Sequence, residues 1–326
     1  MKTIAMQCLA CAAMLTCGAA SQAQSSVQVY GLVDVGLAYN KQPGKEAVTG
    51  VENGNMTTSY FGVKGKEDLG GGLSTVFALE SYFRADTGSN GRFDGDGFWT
   101  RSSYVGLQGS LGSVRLGRNT VPLFISTLLF NPFGDSFGFS PSIRHYFTSG
   151  TVTGDSGWSD SITYISPDLG GLTVNLIGAA GEGNGGPNVG GSLLYMKGPL
   201  GLTAVYQRVK KGAAIADTKT WQLGSSYDFG VVKLFAQYGQ VKNVSVQPDA
   251  EYKLTDIGAA IPVGGGKILA AYGLLDPAVG AKRETFSLGY DYNLSKRTDV
   301  YAVLMRDELE TLSAGRSFAV GIRHRF

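Results

Sequence analysis

Residues 285–294 read Thr-Phe-Ser-Leu-Gly-Tyr-Asp-Tyr-Asn-Leu, and this stretch decides the fold class. Apolar or aromatic side chains stand at every second position, at Phe286, Leu288, Tyr290 and Tyr292, and small or polar residues lie between them. A period of two residues predicts a β-strand with one apolar and one polar face, because a helix would repeat every 3.6 residues.

The same alternation recurs along the chain, for example in residues 221–229, 232–238 and 317–326. Seven short connections carry the Gly, Pro, Asp or Asn of tight turns: 66–72, 109–113, 168–171, 198–201, 228–230, 262–266 and 294–297. Eight long connections alternate with them: 41–56, 85–98, 119–157, 181–189, 211–219, 243–250, 276–283 and 307–316. This arrangement predicts sixteen strands, with both chain ends on the side of the short turns.

Two architectures accommodate strands with two different faces. In a soluble β-sandwich the apolar faces pack on a second sheet, whereas in a membrane barrel they face lipid and the polar faces line water. The sorting of connections by length favours the barrel, because a sandwich has no need for it. After residue 23 no segment is apolar for long enough to cross a bilayer as a helix. We therefore predict an all-β fold, a 16-stranded antiparallel transmembrane β-barrel.

The first 23 residues predict a signal peptide. Residues 4–20 are apolar and small, and Ser21-Gln22-Ala23 places small residues where a signal peptidase reads them. We expect a single mature domain over residues 24–326. The alternative is a lipoprotein modified on Cys17, whose surroundings fit that signal poorly. The three cysteines all precede residue 23, so the mature chain lacks disulfides and thiolate metal sites.

Charge and composition exclude several functions. The chain has 28 Lys and Arg against 26 Asp and Glu, so its net charge of +2 gives no reason to expect nucleic acid as a partner. Residues 154–157 (Gly-Asp-Ser-Gly) resemble a serine-protease turn, but the only histidines are His145 and His324, and neither provides a catalytic base there. We predict no enzyme activity, no cofactor and no metal site.

Several motifs follow one another in a recognisable order: residues 29–34 (Val-Tyr-Gly-Leu-Val-Asp), 61–73, 104–107, 116–118, 164–167 and the final Arg-His-Arg-Phe. In these motifs the chain resembles the Gram-negative general porins, especially the beta-proteobacterial branch. The resemblance implies an outer-membrane homotrimer in contact with membrane lipid and lipopolysaccharide. It also implies a water-filled channel for small hydrophilic solutes and ions, narrowed by an inward-folded third loop.

The longest connection, 119–157, is indeed the third long one. Its many Leu and Phe residues indicate that it packs against something, and the inner wall is the natural surface. The alternative is a loop that only caps the mouth of the barrel.

Three predicted constriction residues match positions of the family. Asp135, in the sequence Asn-Pro-Phe-Gly-Asp, resembles the acidic tip of the constriction loop. Glu80 faces the lumen by alternation and matches a lumenal Glu of the family, and Arg118 matches an arginine of the facing wall. Strict alternation places Arg118 on the side of Val114 and Leu116, so either a bulge turns it inward or this side faces a neighbouring subunit.

Lys64, Arg84 and Arg323 face the lumen by alternation alone. Tyr60 stands where the family often has Arg, and residues 157–161 lack an Arg that often precedes an Asn-Ser pair. The basic wall is therefore expected to be thin. A general diffusion channel is predicted; the alternatives are a substrate-specific channel for small carboxylates or sugars, and a barrel enzyme, for which no acid/base pair can be assembled.

Overall fold

The computed structural model describes residues 26–152, 155–182, 186–210, 217–244 and 250–326, so the predicted signal peptide lies outside the described residues. Over these ranges the strands are β1 (Ser26–Lys41), β2 (Val48–Asn53), β3 (Tyr60–Gly70), β4 (Leu73–Arg84), β5 (Ser89–Asn90), β6 (Ser102–Gly109), β7 (Gly112–Thr120), β8 (Gly157–Ile165), β9 (Leu172–Ala179), β10 (Asn188–Lys197), β11 (Leu200–Val209), β12 (Thr218–Asp228), β13 (Lys233–Asn243), β14 (Ala250–Val263), β15 (Gly266–Pro277), β16 (Arg283–Asn293), β17 (Thr298–Leu309) and β18 (Gly315–Arg325). The helices are α1 (Pro122–Leu129) and α2 (Pro141–Phe147).

The strands form a closed antiparallel barrel of sixteen positions, as predicted. The last strand, β18, pairs with β1 from Leu32 opposite Arg325 to Lys41 opposite Arg316, so the ring has no free edge at this seam. Strands β2 and β3 share one position, because both pair with β1, and the two-residue β5 shares a position with β6, because both pair with β4. Part of the predicted loop 41–56 is therefore strand, since residues 48–53 continue the ladder on β1.

The apolar faces of the strands point outward. On β16, Thr285 and Ser287 are fully buried, whereas Phe286 and Leu288 are 41% and 37% exposed. On β18, Phe318, Val320 and Ile322 are exposed in the same way, and Ala319 between them is buried. This is the inverse of a sandwich core and the arrangement expected when the outer face contacts hydrocarbon.

None of the helices in the described ranges is long and apolar enough to cross a bilayer. Both lie in the third long connection, which folds into the barrel and packs against its inner wall, as predicted. Gln222 donates from Nε2 to Thr127 Oγ1 (3.0 Å), and Gln237 donates from Nε2 to the Phe130 carbonyl (2.9 Å). Leu123, Ile143 and Tyr146 are buried against inward-facing strand residues such as Val241 and Leu254.

Glycines on the inner wall make room for this loop. A Cβ at Gly239 would lie 2.1 Å from Tyr146 Oη, and one at Gly258 would lie 2.5 Å from Pro132 Cδ. Gly224 and Gly273, on neighbouring strands, face Phe130 and Pro141 in the same way. These four glycines on β12–β15, here called the glycine trough, let the backbone of the loop lie directly on the sheet.

We expect Gly258→Val to displace the loop, because the new side chain must occupy the space of Pro132. Overpacking of this kind costs about 1–3 kcal/mol, so the midpoint of urea unfolding in lipid vesicles should fall and the single-channel conductance should change. The control is Ala259→Val, one residue further on the outward face. Equal midpoints and conductances for the two variants would contradict the role assigned to the trough.

Candidate functional site

Residues 54–59, between β2 and β3, leave the wall and project into the barrel. The buried carboxylate of Asp34 on β1 fixes them, because Oδ2 accepts hydrogen bonds from the backbone N–H groups of Met56 and Thr57, both at 2.7 Å. Its other oxygen, Oδ1, accepts from the hydroxyl of Tyr301 on β17 at 2.6 Å. Hydrogen bonds to an ionised group are the strong ones, so this projecting segment, the inner ledge, is firmly held.

The tip of the third loop contacts the inner ledge directly. Ser136 donates from Oγ to the Asn55 carbonyl (2.7 Å), and Thr57 donates from Oγ1 to Asp135 Oδ1 (3.1 Å). Arg323 on β18 donates from Nη1 to the same Thr57 hydroxyl at 3.2 Å. Thr57 therefore links the acidic tip of the loop to a basic residue of the wall.

Two chambers meet at this contact. The chamber on the long-loop side has a volume of about 740 Å³, and the one on the short-turn side has a volume of about 330 Å³. Both are lined by Thr58 of the inner ledge and Phe137 of the third loop. The contact between the inner ledge and the third loop thus lies where the two chambers adjoin.

Charged side chains line the smaller chamber. Three are basic and two are acidic: Lys64, Arg101, Arg115, Glu80 and Asp135. Glu80 is 6% exposed, and its carboxylate accepts from Tyr30 Oη (2.5 Å) and pairs with Arg101 Nη1 (2.6 Å). The charges of Glu80 and Arg101 therefore cancel each other, and the net charge of the chamber depends mainly on Lys64, Arg115 and Asp135.

Those three side chains are held differently. Lys64 Nζ lies 4.4 Å from the centre of the Tyr30 ring, and the Arg115 guanidinium lies 4.7 Å from that of Tyr104. Aromatic faces attract cations without neutralising them. Asp135 forms no ion pair with the described part of the chain, and its carboxylate is held by Thr57. One acidic and two basic side chains of this chamber thus have no ion-pair partner among the described residues.

Of the remaining predicted residues, Tyr60 lies beneath Arg101, whose guanidinium is 3.8 Å from the ring centre. Arg84 lines the larger chamber and pairs with Asp94 at 2.5 Å. Arg323 is 8% exposed, because its guanidinium is enclosed by Asp291 and Asp299 at 2.8 and 2.6 Å.

Arg118 lies away from both chambers. A bulge interrupts β7 between Gly117 and Asn119, and the Arg118 side chain donates to the Thr100 carbonyl and pairs with Asp155 at 2.5 Å. Arg92 donates to both oxygens of Asp155, to Oδ1 at 2.7 Å and to Oδ2 at 2.8 Å. Burial raises the pKa of Asp155, but the hydrogen bonds from Arg92 and the charges of both arginines outweigh it and lower the pKa below its usual value. These ion pairs join the second long connection to the third.

His145 of α2 adds no charge to the lumen. It is fully buried, and its Nε2 lies 2.9 Å from Thr285 Oγ1. Burial, with the nearby Arg283 guanidinium, lowers its pKa to about 3, so the ring is neutral at ordinary pH.

The sequence reasoning missed Asp34, Arg101 and Arg115. Arg115 alternates with Val114 and Leu116, so period-two alternation alone would have placed it inside. Arg101 precedes β6 and sits at the end of a loop, where alternation gives no direction. The role of Asp34 depends on partners far away in the sequence, for which no local pattern gives a signal.

Comparisons with known proteins agree with this architecture. Residues 9–312 match the family model of the Gram-negative porins. An outer membrane porin protein 32 of Delftia acidovorans is 34% identical, over 96% of this chain and 98% of its own. An outer membrane porin of Bordetella pertussis is 32% identical, over 98% and 99% of the two chains. The solved structure of an anion-selective porin from Comamonas acidovorans superposes with a TM-score of 0.82 at 30% identity, covering 93% of this chain and all of the other.

We expect Asp34→Ala to loosen the inner ledge. It leaves two buried N–H groups and the Tyr301 hydroxyl without their acceptor, so the free energy of unfolding should fall by roughly 2–4 kcal/mol, and the open-channel current should become larger and noisier. The control is Asp228→Ala, which removes an acceptor for Gly230 N–H in an exposed turn. Single-channel recording and urea unfolding measure both effects; a variant indistinguishable from wild type would refute the anchoring role.

Proposed function

Because the chain belongs to the Gram-negative porin family, we propose that the two chambers form one continuous aqueous path and that the charges at its constriction set a weak preference for anions. The protein is a porin of the outer membrane, a channel through which small hydrophilic solutes and ions diffuse down their gradients. The observation that supports the path is that Thr58 and Phe137 line both chambers.

The mechanism needs no binding step. A solute enters the larger chamber, passes beside the contact between the inner ledge and the third loop, and leaves through the smaller chamber. The size of the solute is limited because ledge and loop are fixed to each other and to the wall by hydrogen bonds. Charge is selected by the side chains that line narrow water, where the field of a charge is less screened than in bulk.

The proposed preference for anions follows from those charged side chains of the smaller chamber that have no ion-pair partner among the described residues. Lys64 and Arg115 oppose Asp135, while Arg101 and Glu80 balance each other. The wall has one more basic side chain than the sequence suggested, because Arg101 lies over Tyr60, at the position where the family often has Arg. The similar Comamonas acidovorans porin is described as anion-selective. Together these observations support a modest excess of anion over cation permeability.

The alternative prediction, a substrate-specific channel for small carboxylates or sugars, differs in its kinetics. A general porin passes current in proportion to salt concentration, whereas a specific channel saturates and is blocked by its solute. Five arginines line the two chambers: Arg84, Arg92, Arg144, Arg101 and Arg115. The first four are each paired with a carboxylate of the chain, so they do not form a series of free charges that would guide a carboxylate along the path, and this favours the general channel.

We also infer that the protein has no enzyme activity. His145 is buried against Thr285, and His324 lies near the last turn, with Nδ1 2.9 Å from Thr298 Oγ1. Neither histidine contacts a carboxylate within the described residues, so neither is placed as a base. Residues 1–23 are proposed to act as an export signal that is removed.

We propose a homotrimer, as the family resemblance implies. An aromatic cluster lies on the wall and the second long connection: Phe61, Phe83, Phe98 and Trp99, with ring centres 4.7–6.2 Å apart. Phe98 and Trp99 are 47% and 36% exposed. Aromatic side chains in such a patch are typical of protein contacts, so this cluster is the surface that we assign to a neighbouring subunit.

We expect Asp135→Asn to shift the reversal potential in a salt gradient toward the anion value, because it removes the acidic charge of the smaller chamber that has no ion-pair partner among the described residues. Arg115→Gln should shift it the opposite way. The matched control is Arg297→Gln, which changes the same charge in an exposed turn outside both chambers. Planar-bilayer recording measures all three, and identical potentials for Asp135→Asn and wild type would remove Asp135 from the constriction.

We expect the double substitution Phe98→Ser and Trp99→Ser to lower the temperature at which the purified oligomer dissociates in SDS, since it removes the exposed part of the aromatic cluster. Phe229→Ser, an exposed aromatic in a short turn, is the control. Gel electrophoresis after heating in steps gives the dissociation temperatures. Equal temperatures for the double variant and the control would place the contact elsewhere.

A further inference from the structure

A row of inward-facing residues crosses the wall beneath the third loop. Its five members are directly opposite one another on the neighbouring strands β13–β17: Gln237, Asp256, Gly273, Thr285 and Asp307. This set is called the polar row. The four polar side chains among them are buried, each at most 5% exposed, so the polar row lies in the contact between the wall and the third loop.

One member of the polar row differs from the others in its hydrogen bonds. Gln237, Thr285 and Asp307 each hydrogen-bond to the third loop, at 2.9, 2.9 and 3.0 Å. Neither carboxyl oxygen of Asp256, in contrast, has a hydrogen-bond partner within the described residues. Buried polar groups are nearly always hydrogen-bonded, because an unpaired one costs free energy, so this carboxyl group needs a partner.

His145 of α2 lies over the same part of the polar row. A Cβ at Gly273 would be 2.4 Å from Asp256 Oδ1 and 3.0 Å from His145 Cε1, so the carboxyl group and the imidazole ring approach one point. Nδ1 of His145, the ring nitrogen bonded to Cε1, has no hydrogen-bond partner among the described residues. Two buried groups that need a partner, one on the wall and one on the loop, thus lie close together.

The hydrogen bonds of Thr285 determine which ring nitrogen of His145 carries the hydrogen. Asp307 is paired with Arg144 and Arg283, and it accepts from Thr285 Oγ1 at 3.0 Å. The Thr285 oxygen is therefore left to accept from Nε2–H of the ring. Burial, with the charge of Arg283, lowers the pKa of His145 to about 3, so the ring is neutral. Its Nδ1 then has a lone pair and requires a donor.

Asp256 can supply that donor as a neutral carboxylic acid. An ionised carboxylate only accepts hydrogen bonds, whereas a protonated carboxyl group has one O–H donor. The residues directly opposite Asp256 are Gln237 and Gly273, and neither is charged. The ionisable side chains of α2 that face this part of the wall are His145 and Tyr146. A buried charge without a counter-ion is strongly unfavourable, so the carboxyl group keeps its hydrogen.

We propose that Asp256 is a positioning residue of the third loop, which donates a hydrogen bond from its neutral carboxyl group to Nδ1 of His145. A rotation of the carboxyl group over Gly273 directs its O–H toward the ring, and glycine at this position leaves room for the contact. The hydrogen bonds then run from Asp256 through His145 and Thr285 to Asp307 and connect α2 to three strands of the wall. The group is fully enclosed, so it holds the loop and performs no chemistry on a solute.

Nitrogen NMR of the protein in micelles, with isotope-labelled histidine, tests the hydrogen bond directly. The chain has two histidines, and His324→Gln assigns their signals. We expect His145 to carry its hydrogen on Nε2 and to accept a hydrogen bond at Nδ1 from about pH 5 to about pH 8. Asp256→Leu should shift the Nδ1 signal to that of a free acceptor. Asp256→Asn should keep the wild-type signal, because the amide N–H replaces the O–H donor.

Single-channel recording measures what this hydrogen bond does for the pore. We expect Asp256→Leu to show brief current steps about 10-fold more often than wild type, the factor that corresponds to the loss of one buried hydrogen bond, and Asp256→Asn to behave as wild type does. The control is Ser287→Ala, which removes another buried, unpartnered hydroxyl of the described inner wall, outside the polar row. Its current record should match that of wild type.

Urea unfolding separates the proposal from a carboxyl group that simply has no partner. The proposal predicts a lower midpoint for Asp256→Leu than for Asp256→Asn, whereas an unpartnered carboxyl group predicts a higher one, because leucine suits a buried site better. In a double-mutant cycle, His145→Leu should lower the midpoint less when Asp256→Leu is already present. Full additivity of the two substitutions would contradict the proposal.

The wild-type spectrum alone can also overturn it. A hydrogen on Nδ1 would make the two side chains an ion pair, and equal Nδ1 signals in wild type and Asp256→Leu would show that they do not interact. The inference rests on the proposed path past the third loop, but the NMR result does not depend on conduction. A shifted Nδ1 signal with an unchanged current record would therefore refute the role of the loop in the path and leave the hydrogen bond standing.

Discussion

Backbone hydrogen bonds between neighbouring strands form a complete ring, and the rest of the molecule depends on this ring. In hydrocarbon an unpaired N–H or C=O group costs several kcal/mol, so an open sheet edge is not tolerated. Pairing of β18 with β1 removes the last edge. Once the ring is closed, alternate side chains must face opposite solvents, which explains why Phe286 and Thr285 differ so strongly in exposure.

A ring of sixteen strands is too wide to sieve small solutes by itself, so the chain narrows it with two of its own segments. The third loop lies in the glycine trough, and the inner ledge is held by Asp34. Neither element joins the wall through a continuous ladder of backbone hydrogen bonds. The inner ledge has two such bonds, from Gly54 N–H to the Asp34 carbonyl (2.9 Å) and from Phe83 N–H to the Ser59 carbonyl (3.1 Å), and side chains such as Asp34, Gln222 and Gln237 make the other hydrogen bonds described above. The aperture is therefore defined by polar contacts in a protein whose stability comes from the sheet.

Much of the fold could be predicted from the sequence, because strand alternation and turn chemistry are local. Within the described residues, the short turns and the long connections lie where the pattern predicted them, except that residues 48–53 and 89–90 are strand, and the closing strand at Phe318–Ile322 was also predicted. The interruption at residues 54–59 could not be predicted, since its cause is a contact between Asp34 and Met56, Thr57 and the distant Tyr301.

The constriction was harder to predict than the wall for the same reason. Glu80 and Lys64 lie on regular strands, and alternation alone places them inside. Asp135 lies on the third loop, where alternation does not apply, and it was predicted from a motif that resembles the constriction loop of the family. Arg118 belongs to a bulge, and its side chain satisfies Asp155 between two loops, a geometry that neither alternation nor a motif contains. Side chains alternate between the two faces only in regularly paired strands, so alternation cannot predict side-chain directions in bulges and loops.

The hydrogen bond from Tyr301 to Asp34 joins β17 to β1 across the strand that completes the circle. The same carboxylate that shapes the aperture thus also fastens the last strands to the first. Before β18 pairs with β1, the Tyr301 hydroxyl cannot reach the Asp34 carboxylate, so the inner ledge acquires its full set of hydrogen bonds only when the wall closes.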